Sequence, residues 1–259
     1  MILRTERHIP TAQLQPFIKE YHFVESDAEM ENRILPNTSM SLAIRYNGKM
    51  SVKESGQDLP LPNLILSGIW KSPRLIRYGE RTGNLLVHFN PGGAAAFFPR
   101  PFNELTDLSL PADSLANCTH LLGLPEQLAA IEDHEARIDT LERILCSRLS
   151  TSRPDPLLTA AVEMIRSAHG VIAIKALAAS LYISQDAFEK RFRQAIGTSP
   201  KHFCTVTRLQ YAIQIHSPEK SLTDTALTAG YYDQAHFIRD FKGLTGLSPR
   251  QFFDGRPHW

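Results

Sequence analysis

Two groups of polar side chains near the C-terminal end of the chain follow helical spacing. The first group is Gln185, Asp186, Glu189, Lys190 and Arg193, and the second is Gln234, Ala235, His236, Arg239 and Lys242. In a helix, each group lies opposite a pair of phenylalanines spaced four residues apart. In the DNA major groove, glutamine can bond adenine, arginine or lysine can bond guanine, and glutamate can accept from cytosine. The two faces could therefore read bases, whereas the alternative is an ordinary solvated helix face.

The two groups belong to a segment that occurs twice in the chain. The first copy is residues 184–203 and the second copy is residues 233–252. The copies share Gln185/Gln234, Phe188/Phe237, Phe192/Phe241, Gly197/Gly246, Ser199/Ser248, Pro200/Pro249 and Phe203/Phe252. Two units argue against a solenoid, which normally needs three or more. They suit two successive visits to the major groove about 34 Å apart, and their different outward residues fit two unlike half-sites.

Residues that cap and end helices surround both copies. Ser184 and Asp233 are N-cap candidates, because their side chains can accept from the free N–H groups of a first turn. Gly197 and Gly246 end the same helices, since glycine accepts the left-handed conformation found there. Pro200 opens a longer helix that connects the two copies. Each copy, with the short helix before it, therefore predicts a helix-turn-helix unit.

Residues 160–253 resemble the DNA-binding domain of the AraC/XylS family of bacterial transcription regulators. The matching stretches are IKALAASLYIS, FEKRFRQAIGTSPKHF, RLQYA and SLTDTALTAGYYDQAHFIRDFKGLTGLSP. The resemblance implies two helix-turn-helix units, at about 172–196 and 221–244, joined by a rigid helix and reading a promoter. It also implies RNA polymerase as a partner and an N-terminal sensor or dimerisation domain. By position it assigns DNA contacts to Asp186, Glu189, Lys190, Gln234, Ala235, His236 and Arg239.

The first copy departs from the family pattern in two ways. Tyr182 stands in its turn where the family often has glycine, whereas the second copy keeps Gly230. Glycine accepts a positive φ without penalty and tyrosine does not, so the first turn is expected to differ in shape. Asp186 and Glu189 are also poor neighbours for phosphate. We therefore expect the second copy to make the better DNA contacts, with Arg239 foremost.

The first hundred residues have the pattern of short strands. Met40, Leu42, Ile44 and Tyr46 alternate with polar residues up to Asn47-Gly48, and Met50 and Val52 continue the alternation. Period-two alternation around Asn-Gly predicts a β-hairpin. NLILSGIW, PRLIRYGE and NLLVHFNP predict further short strands, so this part should form a small antiparallel sheet or partial barrel. ILPNTSMSLAIRYNG, LILSGIW and LLVHFNPGGAAAFF also resemble a sensor-like domain that precedes this module in other regulators.

Helices complete the N-terminal part of the chain. NPGGAAAFF predicts a short helix packed closely on the sheet, since it lacks the Lys-Ser/Thr of a P-loop and the third glycine of a dinucleotide fingerprint. Residues 125–149 have a helical period. Residues 135–149 carry an apolar stripe that either packs on the helix's own domain or, as we slightly favour, pairs with a second copy of the chain. STSRPDP, at 150–156, predicts a domain boundary.

The predicted fold class is therefore α+β. A β-rich domain with helices, residues 1–150, precedes an all-α domain of two helix-turn-helix units joined by a connecting helix, residues 155–259. From residue 154 onward the chain has twelve Lys and Arg against nine Asp and Glu, while the whole chain has a net charge of +1. This excess is too small to bind nucleic acid by charge alone.

Several residue types show no arrangement for metal or cofactor chemistry. His22 and His88 lie in apolar strand patterns without a second ligand at metal spacing, so a core or pocket-lining role is expected. Trp70 and Tyr78 could line a ligand pocket, and core or surface roles are equally open. Cys118, Cys146 and Cys204 are odd in number and far apart, which argues against a disulfide framework and predicts small apolar core residues. We predict no metal and no cofactor.

The sequence thus predicts a cytoplasmic, sequence-specific DNA-binding regulator rather than an enzyme. MILRTERHIP lacks the apolar core of a signal peptide, and no apolar run approaches the roughly 20 residues that span a bilayer. A small molecule bound in the N-terminal domain is a hypothesis that domain order motivates. A regulator controlled by abundance or by a protein partner is the alternative. A DNA-repair enzyme with an attached DNA-binding module is remote, because the cysteines do not cluster.

Overall fold

The computed structural model of the protein describes residues 3–98, 101–114, 118–149 and 154–255. Within these ranges the strands all precede the α-helices, and every paired ladder is antiparallel. The strands are β1 Leu3–His8, β2 Ile18–Ser26, β3 Met30–Ile34, β4 Ser41–Asn47, β5 Met50–Glu54, β6 Gln57–Pro60, β7 Leu64–Ser67, β8 Arg74–Tyr78, β9 Thr82–Phe89 and β10 Ser109–Pro111. The predicted β-rich N-terminal part is confirmed.

The strands form two sheets. The larger sheet has the order β1-β2-β9-β4-β7-β10, and the smaller sheet has the order β3-β8-β5-β6. Alternate side chains of β9, β4 and β7 face the smaller sheet, while the opposite set, including Leu85 and Val87, is buried in the main core.

The hairpin predicted around Asn47-Gly48 is wrong in its pairing. Gly48 takes a φ of 72° as the turn requires. However, β4 pairs with β7 and β9, whereas β5 pairs with β6 and β8 in the other sheet. A Cβ on Gly48 would lie 2.6 Å from Cα of Thr82, so the turn packs tightly against the start of β9. The turn therefore carries the chain from one sheet to the other.

The helices follow in the order that the sequence predicts, with one difference. They are α1 Leu124–Ala129, α2 His134–Arg148, α3 Pro156–Ser167, α4 Ile174–Ser180, α5 Gln185–Ile196, α6 Pro200–Ile215, α7 Leu222–Thr228, α8 Gln234–Thr245 and α9 Pro249–Asp254. The single helix expected over 125–149 is two, because Asp133 caps a new helix by accepting from the Ala136 N–H at 2.8 Å. Among the described residues, no helix is long and apolar enough to cross a membrane.

The apolar stripe of α2 is buried within the chain. Ile138, Leu141 and Leu145 lie in the main hydrophobic cluster. Glu142 is also buried, and it accepts from the hydroxyl of Tyr21 at 3.0 Å and from the Thr11 N–H at 2.9 Å. The stripe therefore offers no free surface to a second copy of the chain. The apolar stripe was the reason for slightly favouring a homodimer, and that reason no longer applies.

The segment NPGGAAAFF packs closely, as the sequence predicts. A 3-10 helix covers Gly93–Ala96, and a Cβ on Gly93 would lie 2.0 Å from the carbonyl oxygen of Phe17. Only glycine fits such an approach of two backbones.

The main hydrophobic core continues from the β-rich part into the first helix-turn-helix unit. Phe89 and Phe102 lie in the same buried cluster as Phe188 and Phe192 of α5. A separate cluster, which contains Phe237 and Phe241 of α8, forms the core of the second unit. Residues 150–153, in the predicted break, lie outside the described residues, and the division into domains at this point stays a prediction.

Candidate nucleic-acid interface

Helix α5 is positioned by one cap at each end and by its aromatic face. The side chain of Ser184 accepts from the Ala187 N–H at 3.3 Å, and Gly197 ends the helix with a φ of 91°. Phe188 and Phe192 are fully buried and meet edge to face, with ring centroids 5.6 Å apart. The opposite face of α5 therefore points to solvent.

Helix α8 is built in the same way. The side chain of Asp233 accepts from the His236 N–H at 2.7 Å, and Gly246 ends the helix with a φ of 75°. Phe237 and Phe241 are fully buried, and Phe241 meets Phe252 of α9 edge to face. The caps, stops and aromatic faces predicted for both copies are confirmed. We call α5 and α8 the reading helices.

The outward faces of the reading helices carry the residues singled out in the sequence. The exposed residues are Gln185, Asp186, Lys190, Arg193, Gln234, Ala235, Arg239 and Lys242, and the half-buried ones are Glu189 and His236. The structure thus brings these side chains together on two helix surfaces. Their contacts with bases stay a prediction.

In the first copy the outward side chains are tied to one another. Glu189 accepts from Nε2 of Gln185 at 2.9 Å and from Nη2 of Arg193 at 2.5 Å. Because Glu189 holds both the amide and the guanidinium, these groups would have to leave the carboxylate in order to bond a base. The sequence shows the i, i+4 spacing of these pairs but not which of them form.

The second copy leaves its strongest donors available. His236 lies 3.3 Å from the carboxylate of Asp240 and packs edge to face on Tyr231. Among the described residues, no carboxylate lies within 4.0 Å of the Arg239 guanidinium or the Lys242 ammonium. The two cations, with exposed Gln234, therefore form a donor-rich surface.

The turns that precede the two reading helices differ. Tyr182 adopts a φ of 55° and is 99% exposed. Gly230 occupies the matching position after α7 with a φ of 78°. Both residues donate backbone hydrogen bonds to the end of the preceding helix, Tyr182 to Ala179 and Gly230 to Leu227. The expectation that the first turn differs in shape is therefore wrong, because both turns place a left-handed residue at this position and make the same hydrogen bond. The difference is that Tyr182 carries a Cβ at a positive φ and an exposed ring.

The connecting helix α6 holds the two units in a fixed relation through Arg208. Its Nη2 donates to the carbonyl of Gly170, before α4, at 2.9 Å. The same guanidinium lies 5.3 Å from the ring centroid of Tyr231, in the second turn. Arg208 therefore contacts both units. The sequence placed it only within the stretch RLQYA, and nothing in its spacing indicated this bridging role.

The β-rich part holds the C-terminal end of each reading helix. The Thr106 hydroxyl donates to the carbonyl of Gly197 at 2.7 Å. Nη1 of Arg33 donates to the carbonyl of Thr245 at 3.4 Å. A Cβ on Gly246 would lie 3.2 Å from Pro73 and closer still to Arg33. Sequence reasoning gave no sign of these contacts, because they join residues far apart in the chain.

The histidines considered as ligands lie in a polar patch of the larger sheet. The rings of His22 and His88 are 6.1 Å apart, and both line a cavity, as their strand pattern predicts. Burial lowers the pKa of His22 and lowers the pKa of His88 to about 4, so both are neutral near pH 7. Trp70 and Tyr78 line a neighbouring cavity, and Tyr78 also belongs to a buried apolar cluster, so it combines two of the roles left open for it.

One group among the described residues has the composition of a metal site. Glu6, His8 and His134 place one ligand atom each within 4.8 Å of the others. Glu6 already meets His8 Nε2 at 2.8 Å and His134 Nδ1 at 2.9 Å, while His134 also lies 3.3 Å from Glu25 and stacks on Phe23. Ion pairing and stacking account for this arrangement without a metal.

The comparisons with known families match two separate parts of the chain. Residues 177–255 match the family described as "Helix-turn-helix domain", and residues 6–111 match "Domain of unknown function (DUF6597)".

Curated relatives match the C-terminal part. An HTH-type transcriptional regulator of Haemophilus influenzae is 35% identical over 97 residues, which are 37% of this chain and 33% of that protein. A Staphylococcus aureus HTH-type transcriptional regulator is 29% identical over 90 residues, or 34% of this chain. The match spans only 12% of the Staphylococcus protein.

Among solved structures, ToxT from Vibrio cholerae covers 98% of both chains, with 9% identity and a TM-score of 0.49. That likeness is too distant to transfer a function. The family models and the duplicated motif agree on the C-terminal part. Residues 177–255 are therefore an AraC-type helix-turn-helix domain, and residues 6–111 belong to a domain family of unknown function.

Proposed function

We propose that the chain is a sequence-specific DNA-binding transcription regulator, whose two reading helices enter successive major-groove segments of one promoter site. The observation that carries the proposal is the surface of α8. Gln234, Arg239 and Lys242 are exposed on a helix that is capped, ended and held by buried phenylalanines. These are the side-chain types that bond adenine and guanine in the major groove.

The two reading helices have unequal roles in this proposal. The second copy supplies the discriminating contacts, because Arg239 has no competing carboxylate within 4.0 Å among the described residues. The first copy contributes less affinity, since Glu189 neutralises Arg193 and would repel a nearby phosphate. The DNA target is accordingly asymmetric.

The proposal includes partners beyond DNA. RNA polymerase is the protein partner that a promoter-bound regulator would contact. A homodimer through the β-rich domain would have to use a surface other than the buried α2 stripe. A small-molecule effector bound in the β-rich domain would control it, in the cytoplasm. We assign no reaction to the chain. Burial raises the pKa of the Cys204 thiol to about 11, so this thiol stays protonated and is a poor nucleophile.

Selection of bound sequences from a random DNA library tests the proposal. We expect one enriched motif with two segments about one helical turn apart, and an affinity that falls steeply with salt. Arg239→Ala should cost about 1–3 kcal/mol and relax one base position. Arg143→Ala is the matched control, because Arg143 is exposed on α2, outside the reading helices.

Two outcomes would count against this reading. If no motif is enriched, the chain is not sequence-specific. If Arg239→Ala weakens binding equally on the motif and on unrelated DNA, Arg239 contacts only phosphate, and base readout must come from other residues.

A further inference from the structure

A cavity of about 170 Å³ lies between the two sheets of the β-rich domain. An engineered apolar cavity of about 150 Å³ is known to hold one benzene molecule. The space is therefore right for the body of a single-ring or short-chain compound. A second cavity of about 560 Å³ shares Ile34, Asn37 and His88 with the first and extends to Arg166 and Gln210 of the helical part. It offers a route of entry.

The larger sheet gives the cavity a polar row and an apolar row. In the strand register, Ser109 pairs with Ser67, Ser67 with Ser41, and Ser41 with His88. Two residues further along the same strands, the register pairs Leu86 with Ala43 and Ala43 with Ile65. Alternate residues of a strand share a face. On the larger sheet, the cavity wall therefore changes from hydroxyl and imidazole groups to aliphatic groups between one row of side chains and the next.

The smaller sheet follows the same order. Along β8, Arg74, Ile76 and Tyr78 all line the cavity. Arg74 lies at the polar row, because its Nη1 donates to Oγ of Ser109 at 3.0 Å. Ile76 then faces the aliphatic row. Both walls of the cavity thus carry polar groups at this end, where Arg74 is the only cationic side chain among the described lining residues. Asn84 and Tyr78 line the other end, beyond the aliphatic row.

Buried donors at the polar end lack partners. Nε of Arg74 and Nε1 of Trp70 are buried without a hydrogen-bond partner among the described residues. No described carboxylate lies within 4.0 Å of the Arg74 guanidinium, which instead stacks 4.1 Å from the Trp70 ring centroid. Buried polar groups normally have partners, and a buried cation is normally paired. Two unsatisfied donors, one of them charged, call for an anionic acceptor.

We propose that this cavity binds a small organic carboxylate with an apolar body. The carboxylate accepts hydrogen bonds from Arg74 and Trp70, beside the polar row that contains Ser41, Ser67 and Ser109. The apolar body lies between Ile76 on one sheet and Ala43 and Leu86 on the other. The regulatory meaning of the ligand depends on the DNA-binding function proposed above, whereas its binding does not.

The cavity wall also reaches the DNA-binding units. Leu35 lines the cavity and packs against the hydrophobic cluster of the second unit. Asn37 lines the cavity too, and its Oδ1 accepts from Nε2 of Gln210 on α6 at 3.3 Å. A ligand that moves the segment 34–37 therefore acts directly on the connecting helix and on the second unit.

Titration calorimetry on the full chain without DNA tests the binding. The probes are hexanoate and benzoate, with 1-hexanol and benzyl alcohol as neutral partners of matched size. We expect at least one carboxylate to bind, with an affinity about tenfold or more above that of its alcohol, because hydrogen bonds between a carboxylate and a half-buried guanidinium are charge-assisted. If neither carboxylate binds at millimolar concentration, or if each alcohol binds as well as its acid, the proposal is wrong.

Variants locate the site. Arg74→Gln should weaken carboxylate binding about tenfold or more. Arg77→Gln should leave it unchanged, because Arg77 lies on the same strand with its side chain exposed and paired with Asp58. Ala43→Leu, which fills the aliphatic row, should abolish binding without unfolding the chain. Equal effects of the Arg74 and Arg77 substitutions would overturn the assignment even if a carboxylate binds elsewhere.

The two proposals can fail separately. Calorimetry without DNA reports only the ligand site, and selection of DNA without ligand reports only the reading helices. If DNA binding is found while every carboxylate fails, the cavity proposal alone is lost. If a carboxylate binds through Arg74 while no DNA motif is enriched, the regulator proposal alone is lost.

Discussion

Replacing Tyr182 by glycine should stabilise the first helix-turn-helix unit. Tyr182 has a φ of 55°, in the left-handed region, and its ring is 99% exposed. A left-handed conformation costs a residue with a Cβ roughly 1–2 kcal/mol. The exposed ring offers little packing energy to offset that cost.

The size of the effect follows from two opposing contributions. Glycine removes the strain of about 1–2 kcal/mol. However, glycine loses more conformational entropy on folding than tyrosine does, which lowers the free energy of unfolding by roughly 0.5–1 kcal/mol. The net gain should be about 0.5–1 kcal/mol in the free energy of unfolding. For a chain of this size, that corresponds to an increase of about 1–4 °C in Tm.

Urea unfolding followed by circular dichroism measures this gain, and two further variants control it. Tyr182→Ala keeps the Cβ and removes only the ring, so it should change stability by less than about 0.5 kcal/mol. Gly230→Ala reverses the experiment in the second unit. The alanine would have to adopt a φ of 78°, and its Cβ would lie 2.4 Å from Cγ2 of Val171. We therefore expect the free energy of unfolding to fall by at least about 1 kcal/mol.

The reasoning about strain is refuted if Tyr182→Gly lowers the free energy of unfolding, or if Tyr182→Ala gains as much as Tyr182→Gly. Measuring DNA binding of the same variants adds information. Should Tyr182→Gly be more stable yet bind DNA less tightly, the exposed ring contributes to DNA contact and the strain is retained for that purpose.

Further predictions concern charge, positioning and pH. Glu189→Gln should tighten DNA binding and steepen its salt dependence, because it removes the carboxylate that pairs with Arg193. DNA affinities measured at several salt concentrations check this. An unchanged slope of log affinity against log salt concentration would show that Arg193 does not reach phosphate. Arg208→Ala should lower stability by about 1–2 kcal/mol through loss of its hydrogen bond, and Arg208→Lys should not restore it, as urea unfolding would show. The pKa of His88 is about 4 in the folded chain and about 6.5 in the unfolded chain. The unfolded chain therefore binds the proton first, and stability falls as pH falls from about 7 to 4, by at most about 1.4 kcal/mol per pH unit for this group. His88→Gln should show a shallower loss in urea unfolding at successive pH values, and an equal loss would assign it to other groups.

The local chemistry of the C-terminal part could be predicted because each signal lies within a few residues of its effect. Ser184 and Asp233 cap the helices that they precede, and Gly197 and Gly246 end them. The phenylalanines four apart define the buried face without any knowledge of what covers it. The face of each helix opposite its phenylalanines is then the exposed one, so the exposure of the polar side chains could be predicted from the sequence. Their DNA contacts stay a prediction.

The β-rich part was predictable only in kind. Alternation around Asn47-Gly48 identified two strands and a turn, but strand pairing depends on residues far along the chain, and β4 pairs with β7 and β9 rather than with β5. The cavity was hidden for the same reason. Arg74 and the three serines of the polar row come from four different strands, β8, β4, β7 and β10. Only the pairing of the strands places these side chains next to one another.

The contacts of Thr106 with Gly197 and of Arg33 with Thr245 have a consequence for the geometry of the DNA site. The β-rich part contacts the C-terminal ends of both reading helices, so the distance and the rotation between them depend on the whole chain rather than on the connecting helix alone. DNA turns once in about 10.5 base pairs. Inserting half a turn between the two segments of the site would carry one of them to the opposite side of the double helix, where a reading helix held in this way cannot follow.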